Sequence, residues 1–542
     1  MIKYPSIKSG ATGRLATFLG AAAVAFAVLA SPAPAFAQSI AFKQAVAEAA
    51  SRDVDIATYY RTHGYAPVWT DASETQRDRR AALMAAISTA DKHGLPTARY
   101  DPIGLMEKLQ NAKTPRDRGL VDVEMTKVFL QYARDLQTGV VVPSRIDSAI
   151  VREVPYRDRQ GYMTDFTSAD PMQFLRDLRP RTLEYNALMR EKLAMENLLS
   201  KGGWGPAVPV ASLKPGAQGN AVVALRNRLI AMGYLKRSNS MRYDALMEDA
   251  VREFQQDHGL NTDGVAGNGT MSEINKSVET RLKSVIVAME RERWLNKERG
   301  PRHVLVNIPA FTAAIVDDGR VTFETRTVVG ATKAGRYTPE FSDTMEYIVV
   351  NPTWNVPRSI VTKEYLPSMK TNPGAAGHID LIDGRGRVVS RDSVDFSQYN
   401  ARNFPFSMRQ KPGSRNALGL VKFIFPNKHN IYLHDTPSKN LFARDVRAFS
   451  HGCVRLKDPF DFAYALLARQ ESDPVGFFKA QLNTGRETFV HLDVELPVHL
   501  IYRTAFTTAR GHTQYRADIY GRDAKIWDAL SKAGVAMGAV QG

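Results

Sequence analysis

The sequence predicts a multidomain α+β protein in which helical domains precede a β-rich domain. Apolar residues recur at helical spacings up to about residue 200, and again between about residues 213 and 276. From about residue 299, short apolar runs are broken by Gly, Pro, Asn or Asp, a pattern typical of β-strands. At roughly 150 residues per domain, a chain of 542 residues has room for about three domains.

Residues 1–37 have the layout of a secretory signal peptide. Lys3, Lys8 and Arg14 precede a short apolar stretch, and the small-x-small triplet 35–37 follows two prolines. A charged start, a short apolar core and a small-residue site mark an exported protein. We therefore expect cleavage after the triplet and no stable membrane span in the mature chain, with an uncleaved signal anchor as the alternative.

The charge and cysteine content narrow the classes of partner. The formal net charge is +16, which favours attraction to an anionic polymer or surface. Nucleic acid is an improbable partner for an exported chain, and no zinc knuckle, RNP-like stretch or sustained basic helix occurs in the sequence. A negatively charged cell-wall polymer fits better. One cysteine allows no internal disulfide, so the domains must be stabilised by ordinary cores.

Residues 38–205 are predicted to form a helical scaffold domain. The clearest helix carries Met125 and Phe129 on one face and stops before Gly139, as helices often do. The Gly- and Pro-rich run 201–209 then indicates a linker to the next unit.

Residues 210–278 are predicted to form a compact module of three short helices. Their glycines and apolar residues resemble the signatures of the peptidoglycan-binding module, and this resemblance implies glycan as a partner, with a helical spacer that does not bind glycan as the alternative. The matching residues are Gly216, Gly219, Val222, Leu225, Gly233, Tyr234, Leu235, Ala250, Val251, Phe254, Gln255, Gly259, Leu260, Asp263, Gly264 and Gly267. The charged run 279–298 is predicted to be a linking helix.

Residues 299–506 are predicted to form the β-rich domain. An insert over residues 359–412 is rich in Gly, Pro and Asp and is expected to be irregular. Long loops in compact domains are either disordered or functional, so we expect the insert to cap a cleft. The extension 507–542 reads as a strand edge and a closing helix, and its sequence indicates no role.

The chemistry points to Cys453, the single cysteine, which follows Gly452 and precedes a predicted helix. A cysteine attacks as thiolate, and a histidine can supply the base or the ion-pair partner that it needs. His434 ends a predicted strand from which the chain can return to the same sheet, beside Cys453. The amides of Gly452 and Cys453 are the candidate donors to an oxyanion. We expect a thiol nucleophile with His434 as its base.

These residues resemble the signature of the YkuD-type L,D-transpeptidases. His434, Ser450, His451, Gly452 and Cys453 match it one by one, and the order of domains resembles the large YcbB-like subgroup, whose β-rich catalytic domain carries a capping insert. The resemblance implies that the thiol attacks the diaminopimelate carbonyl of a donor tetrapeptide stem, that D-alanine leaves, and that the amine of a second diaminopimelate takes the acyl group. It implies no cofactor.

Other residues near the motif receive weaker roles. Ser450 and His451 are expected to orient the catalytic loop, and the guanidinium of Arg455 suits recognition of a substrate carboxylate, with a structural ion pair as the alternative. Trp354 and Asn355 are expected to line the cleft, although a tryptophan beside proline also serves in packing. The sequence contains neither H-E-x-x-H nor C-x-x-C, so no metal site is expected.

The leading hypothesis is therefore a periplasmic enzyme of cell-wall synthesis, organisation and cell shape, with wall synthases as possible partners. The same thioester could instead be used to attach a protein amine or a D-amino acid to the stem. A wall-binding scaffold without activity is a third hypothesis, which the presence of Cys453 and His434 disfavours. A papain-like protease would have its cysteine before its histidine, and here the order is reversed.

Overall fold

The computed structural model describes residues 33–508 and 512–538. It confirms a multidomain α+β protein with a helical N-terminal region, a small three-helix module and a β-rich domain. The predicted signal segment lies outside the described residues, except for its last five, which belong to a helix. Within the described part, no helix is both long enough and apolar enough to cross a membrane.

The N-terminal domain is built from ten helices of the described chain. Thr114 and Asp117 cap the longest of them reciprocally, a proline follows the cap, and Gly139 with a φ of 97° ends the helix as expected. The helices are α1 (Ala33–Ala50), α2 (Val54–Thr62), α3 (Glu74–Ile87), α4 (Thr97–Tyr100), α5 (Pro102–Asn111), α6 (Pro115–Thr138), α7 (Pro143–Ile146), α8 (Arg159–Ser168), α9 (Pro171–Asp177) and α10 (Leu183–Ser200).

The three-helix module has its own small core. Val222 and Leu225 on the first helix pack with Val251 and Phe254 on the second. Its helices are α11 (Asn220–Ala231), α12 (Ala245–Asp257) and α13 (Asn268–Ile274).

Helix α14 (Val278–Trp294) is a central element of the fold rather than an exposed linker. Its apolar residues join the core of the N-terminal domain, and so do Tyr515, Ile526 and Leu530 from the C-terminal extension. Its four consecutive charged residues, 290–293, are all buried, each with an ion-pair partner. The linking helix and the C-terminal extension therefore tie the helical domain to the β-rich domain.

The β-rich domain is a mixed sheet of nine strands, in the order β11-β3-β12-β10-β9-β4-β13-β1-β2. An additional pairing joins β2, at one edge of this order, to β3 near the other edge, so the strands from β3 to β2 form a closed ring. The strands are β1 (Arg302–Asn307), β2 (Thr312–Asp317), β3 (Arg320–Gly330), β4 (Phe341–Val350), β9 (Val421–Ile424), β10 (Leu433–His434), β11 (Ala448–Ser450), β12 (Val454–Leu456) and β13 (Thr488–Ile501).

The insert between β4 and β9 is folded, whereas the sequence suggested an irregular segment. It has its own apolar core, because residues from its sheet and its short helices pack on one another. It contains β5 (Trp354–Asn355), α15 (Arg358–Ile360), a π-helical turn (Val361–Tyr365), α16 (Leu366–Thr371), β6 (Asp380–Ile382), β7 (Val388–Val389) and β8 (Ser407–Gln410). Its four strands form a second sheet in the order β5-β8-β6-β7.

The remaining helices and strands follow β12 in the chain. Two helices cover the large sheet, and two short strands lead to the last helix. They are α17 (Pro459–Leu467), α18 (Pro474–Asn483), β14 (Ala505–Phe506), β15 (Gln514–Tyr515) and α19 (Arg522–Lys532).

Candidate active site

Two neighbouring parallel strands position the candidate catalytic residues. Leu433 pairs with Val454, and His434 pairs with Arg455, so Cys453 stands just before β12 and level with Tyr432, the residue that precedes β10. Side chains alternate between the faces of a strand. His434, Cys453 and Arg455 therefore share one face of the sheet.

The thiol of Cys453 is half-buried and electrically neutral. Its Sγ donates to the carbonyl oxygen of Asn430 at 3.5 Å. Burial raises its pKa to about 11, although hydrogen bonds to Tyr432 and the charge of Arg455 act in the opposite direction. At neutral pH almost no thiolate is present, so this thiol can act as a nucleophile only if it loses its proton as it attacks.

The imidazole of His434 is buried and neutral as well. Burial lowers its pKa to about 3, the charge of Arg455 lowers it further, and nearby backbone carbonyls oppose the shift. Its Nδ1 hydrogen-bonds the carbonyl oxygen of Asp435, which requires Nδ1 to carry the proton. Nε2 is then the basic nitrogen, and a neutral imidazole of this tautomer can accept a proton from a thiol.

In the loop formed by residues 450–453, called the catalytic loop below, only one of the two predicted oxyanion donors is free of another hydrogen bond. Ser450 donates through its hydroxyl to the carbonyl oxygen of Cys453 at 2.6 Å, and the amide of Gly452 donates to the same hydroxyl at 3.0 Å. The Gly452 amide is therefore engaged, contrary to its predicted role. We find no acceptor for the Cys453 N–H in the described part of the chain, so this amide is the available donor.

Gly452 is required by the shape of this loop. Its φ of 124° lies in a region that residues with a side chain rarely adopt, and an added Cβ would come within 3.0 Å of the Ile431 side chain. Ser450 is 2% exposed, so its two hydrogen bonds hold the loop from inside the protein.

The guanidinium of Arg455 forms neither a salt bridge nor a side-chain hydrogen bond within the described residues, and its Nε is buried without a partner. Burial lowers its pKa from the usual range, but an arginine stays charged at physiological pH. A structural ion pair was the alternative to substrate binding, and the described chain supplies no partner for one. A half-buried, unpaired cation beside the thiol is available to an anionic group of a ligand.

His451 connects the catalytic loop to the insert. Its Nε2 lies 2.7 Å from Oε1 of Glu364, which belongs to the π-helical turn of the insert. Arg336 donates to the same carboxylate oxygen at 2.6 Å. The side chain of His451 therefore faces the insert and not the thiol.

The two residues predicted from the segment before the insert lie elsewhere than expected. Trp354 is buried in the core of the insert, where its ring meets that of Tyr365 edge-on. Val356 belongs to the same core, so the structure places Trp354 in the packing of the insert. Asn355 is exposed on β5.

Tyr432 is a site residue that the sequence analysis missed. Its hydroxyl hydrogen-bonds the Cys453 thiol, and burial together with that sulfur raises its own pKa well above the usual range. Its ring also meets that of His434 edge-on, with centroids 5.6 Å apart. Alternation along β10 could have revealed it, because Tyr432 stands two residues before His434 and thus on the same face.

A cavity away from Cys453 lies where the three-helix module meets α10, α14 and the C-terminal extension. It is a cavity of about 230 Å3 with several aromatic walls and one cation. Trp204, Tyr234, Phe254, His258, Tyr515 and Arg281 are among its lining residues.

One group of residue types that could bind a metal lies near this cavity. It consists of Glu253, Asp257 and His512. Both carboxylate oxygens of Asp257 already accept hydrogen bonds, from Tyr234 and from Gln514. Nothing about this group points to an ion.

Comparison with family models divides the chain in the same order as its structure. Residues 54–191 match a model described as a scaffold domain, and residues 218–274 match one described as a "Putative peptidoglycan binding domain". Residues 301–476 match the YkuD model, described as an L,D-transpeptidase catalytic domain. The last segment contains His434, Cys453 and Arg455.

A curated protein of Haemophilus influenzae, described as a "Putative L,D-transpeptidase", is 34% identical to this chain over 241 residues. The alignment covers 42% of this chain and 47% of that protein, so the chain spans about half the length of this relative.

Two crystal structures of L,D-transpeptidases are also similar in part. The one from Xylanimonas cellulosilytica is 16% identical, covers 55% of this chain and 98% of its own, and has a TM-score of 0.17. The one from Stackebrandtia nassauensis is also 16% identical, covers 54% of this chain and 97% of its own, and has a TM-score of 0.22. Structural similarity at these TM-scores carries no argument about the fold or the function of this chain.

Proposed function

We propose that this chain, which carries an L,D-transpeptidase catalytic domain of the YkuD family beside a peptidoglycan-binding domain, cross-links peptidoglycan stem peptides through a thioester on Cys453. The observation that carries the proposal is the neutral Cys453 thiol on the same face of the sheet as the neutral imidazole of His434, with the Cys453 amide free. An acyl transferase with a cysteine nucleophile needs these three groups: a thiol, a base and a donor to the oxyanion.

In the acylation step, Sγ of Cys453 attacks the carbonyl carbon of the third stem residue, a diaminopimelate, while Nε2 of His434 takes the thiol proton. The oxyanion accepts a hydrogen bond from the Cys453 N–H. The intermediate then collapses, the bond to the terminal D-alanine breaks, and the imidazolium returns the proton to the leaving amine.

In the second step, the side-chain amine of a diaminopimelate on a neighbouring stem attacks the thioester. His434 accepts a proton from that amine as the new amide bond forms, and the thiolate leaves and regains its proton from the imidazolium. The product links the third residues of two stems, and the enzyme returns to its neutral resting state. No step needs a group that the chain lacks.

The substrate features explain two further sites. Stem peptides carry carboxylates, and the unpaired guanidinium of Arg455 beside the thiol suits one of them. The cavity beside the module combines aromatic rings with polar and charged side chains, among them Glu191 and Arg281, and this mixture suits a glycan. We propose that the module holds the enzyme on the wall, in the periplasm, while the catalytic domain acts.

The reaction is tested with the protein lacking its signal segment and purified disaccharide-tetrapeptides. We expect dimers joined through two diaminopimelates, with release of one D-alanine for each cross-link, measured by mass spectrometry. Adducts of an added D-amino acid or of a protein amine, with no dimers, would transfer the assignment to another acyl acceptor. Absence of any D-alanine release would contradict the proposed activity.

The pH dependence of acylation tests the role of His434. Because both pKa shifts favour neutral forms, the wild-type pair stays neutral between about pH 3 and pH 11. We therefore expect single-turnover release of D-alanine by the wild type to vary little between about pH 6 and 9. The His434→Gln variant should be about 10²–10⁴-fold slower at neutral pH.

In this variant the rate should rise about tenfold per pH unit, because thiolate must then form without a base and its fraction rises in this way below the pKa of the thiol. Quenched-flow measurement of D-alanine release at each pH gives the rate profiles of the wild type and of the variant. A variant profile as flat as that of the wild type would rule out His434 as the base. Circular dichroism at each pH serves as the control for folding.

A further inference from the structure

The C-terminal extension reaches the catalytic loop through one continuous set of hydrogen bonds. The hydroxyl of Tyr520 donates to the carbonyl oxygen of Gly330 at 2.6 Å and accepts from the amide of Thr338 at 3.3 Å. The hydroxyl of Thr338 in turn donates to the carbonyl oxygen of Gly452 at 2.7 Å. Tyr520 and the residue before Cys453 are therefore linked through Thr338, whose hydroxyl also accepts from the amide of Gly330 at 2.9 Å.

Every member of this set is buried and has little freedom to move. Thr338 is 0% exposed and Tyr520 is 7% exposed. Arg522 donates to the carbonyl oxygen of Thr338 at 3.0 Å, and its guanidinium lies over the Tyr520 ring. An added Cβ on Gly330 would lie 2.6 Å from the Thr338 amide nitrogen, so only glycine allows this approach.

The carbonyl of Gly452 and the N–H of Cys453 belong to the same peptide unit. A peptide unit is planar and almost always trans, so its C=O and N–H point in opposite directions. Fixing the oxygen of Gly452 therefore fixes the direction of the Cys453 N–H, the donor that the described chain leaves free. The hydroxyl of Thr338 controls that direction from behind the loop.

We propose that Thr338 and Tyr520 are positioning residues for acyl transfer, which hold the Cys453 N–H in the orientation that an oxyanion needs. The C-terminal extension, to which the sequence assigned no role, thus completes the active site. This inference rests on the proposed function for its natural substrate, but not for its test, because any acyl donor that passes through an oxyanion reports on the same amide.

The test compares two reactions of Cys453. Acylation by p-nitrophenyl acetate, or by a disaccharide-tetrapeptide, passes through a tetrahedral oxyanion. Alkylation by iodoacetamide forms a C–S bond, expels iodide and releases the thiol proton, without an oxyanion at any stage. Loss of a preorganised donor slows only the first reaction, whereas a merely loosened or more exposed loop changes both.

For Thr338→Val, which removes the hydroxyl at nearly constant shape, we expect acylation to slow about 10–100-fold, since full loss of a donor typically costs about 10²–10³. The alkylation rate should change less than about twofold, because the thiol and its base are intact. Thr338→Ser should restore most of the acylation rate. Tyr520→Phe should show the same selectivity with a smaller loss, because its hydroxyl acts one step further from the loop.

Tyr243→Phe is the matched control. Tyr243 is 2% exposed and donates to the carbonyl oxygen of Gly264, but it lies in the three-helix module, away from the thiol. This variant should leave both rates unchanged. If Thr338→Val does not fold, Tyr520→Phe decides the outcome through the same ratio of rates.

Equal changes in acylation and alkylation, or unchanged acylation in Thr338→Val, would overturn the inference. Failure of the proposed function has a different signature. In that case the wild type would be acylated by p-nitrophenyl acetate yet release no D-alanine from tetrapeptides, and the positioning role would still be judged on the ester.

Discussion

Replacement of Cys453 by alanine is expected to reduce cross-linking by about 10⁴–10⁶-fold, which is below the detection limit of product analysis. The chain has a single cysteine, so no second thiol can take its place. The remaining hydrogen-bond donors can bind a stem peptide but cannot form the covalent intermediate. The measurement is mass spectrometry of products after long incubation with disaccharide-tetrapeptides.

Two controls separate loss of chemistry from loss of structure. The Cys453→Ser variant keeps the shape of the side chain but has a poorer nucleophile, and it should be almost as inactive. Both variants should keep the wild-type melting temperature and should still sediment with purified cell-wall sacculi. Dimer formation by Cys453→Ala at more than about one hundredth of the wild-type rate would exclude the thioester route.

Replacement of Glu340 by alanine is expected to cause the largest loss of stability, about 3–5 kcal/mol in the free energy of unfolding. The carboxylate of Glu340 is 2% exposed and pairs with Arg291 at 2.7 Å and with Arg522 at 3.1 Å. Arg152 lies 4.0 Å away, and all three guanidinium groups are buried. Removing the carboxylate leaves Arg152 and Arg522 in the interior without a carboxylate partner, whereas Arg291 keeps Asp523 at 3.1 Å.

Urea unfolding measures this effect as a lower midpoint at an unchanged dependence on denaturant. Glu346→Ala is a suitable control, because Glu346 is half-buried on β4 and takes part in none of the ion pairs of the described residues. Its effect should stay within about 0.5 kcal/mol. A loss in Glu340→Ala no greater than in this control would mean that the three arginines are solvated without Glu340.

Predictions based on local periodicity are confirmed by the structure. Apolar spacing predicted the helix that ends before Gly139. Short apolar runs predicted the strands of the large sheet, including the strand that ends at His434. These features depend on residues within one or two turns of each other, so a sequence pattern is enough to reveal them.

Predictions that depended on the path of the loop were less accurate. The amides of Gly452 and Cys453 were equivalent candidates in the sequence. In the structure the Gly452 amide donates a hydrogen bond to the Ser450 hydroxyl, whereas the Cys453 amide has no acceptor in the described residues. The choice depends on a backbone rotation at Gly452, with its φ of 124°, and a glycine can adopt several such rotations. Trp354 was ambiguous for a similar reason, since burial depends on what covers it.

The sequence by itself determined the order of the domains, the fold class and the identity of the candidate nucleophile and base, because each has a local pattern or a short motif. Tertiary structure alone decided the burial of the charges on α14, the folding of the insert and the contact of Tyr520 with the catalytic loop through Thr338. Those features join residues up to 232 positions apart. Partners so distant are chosen by packing and by the need to pair buried charges, which no local pattern encodes.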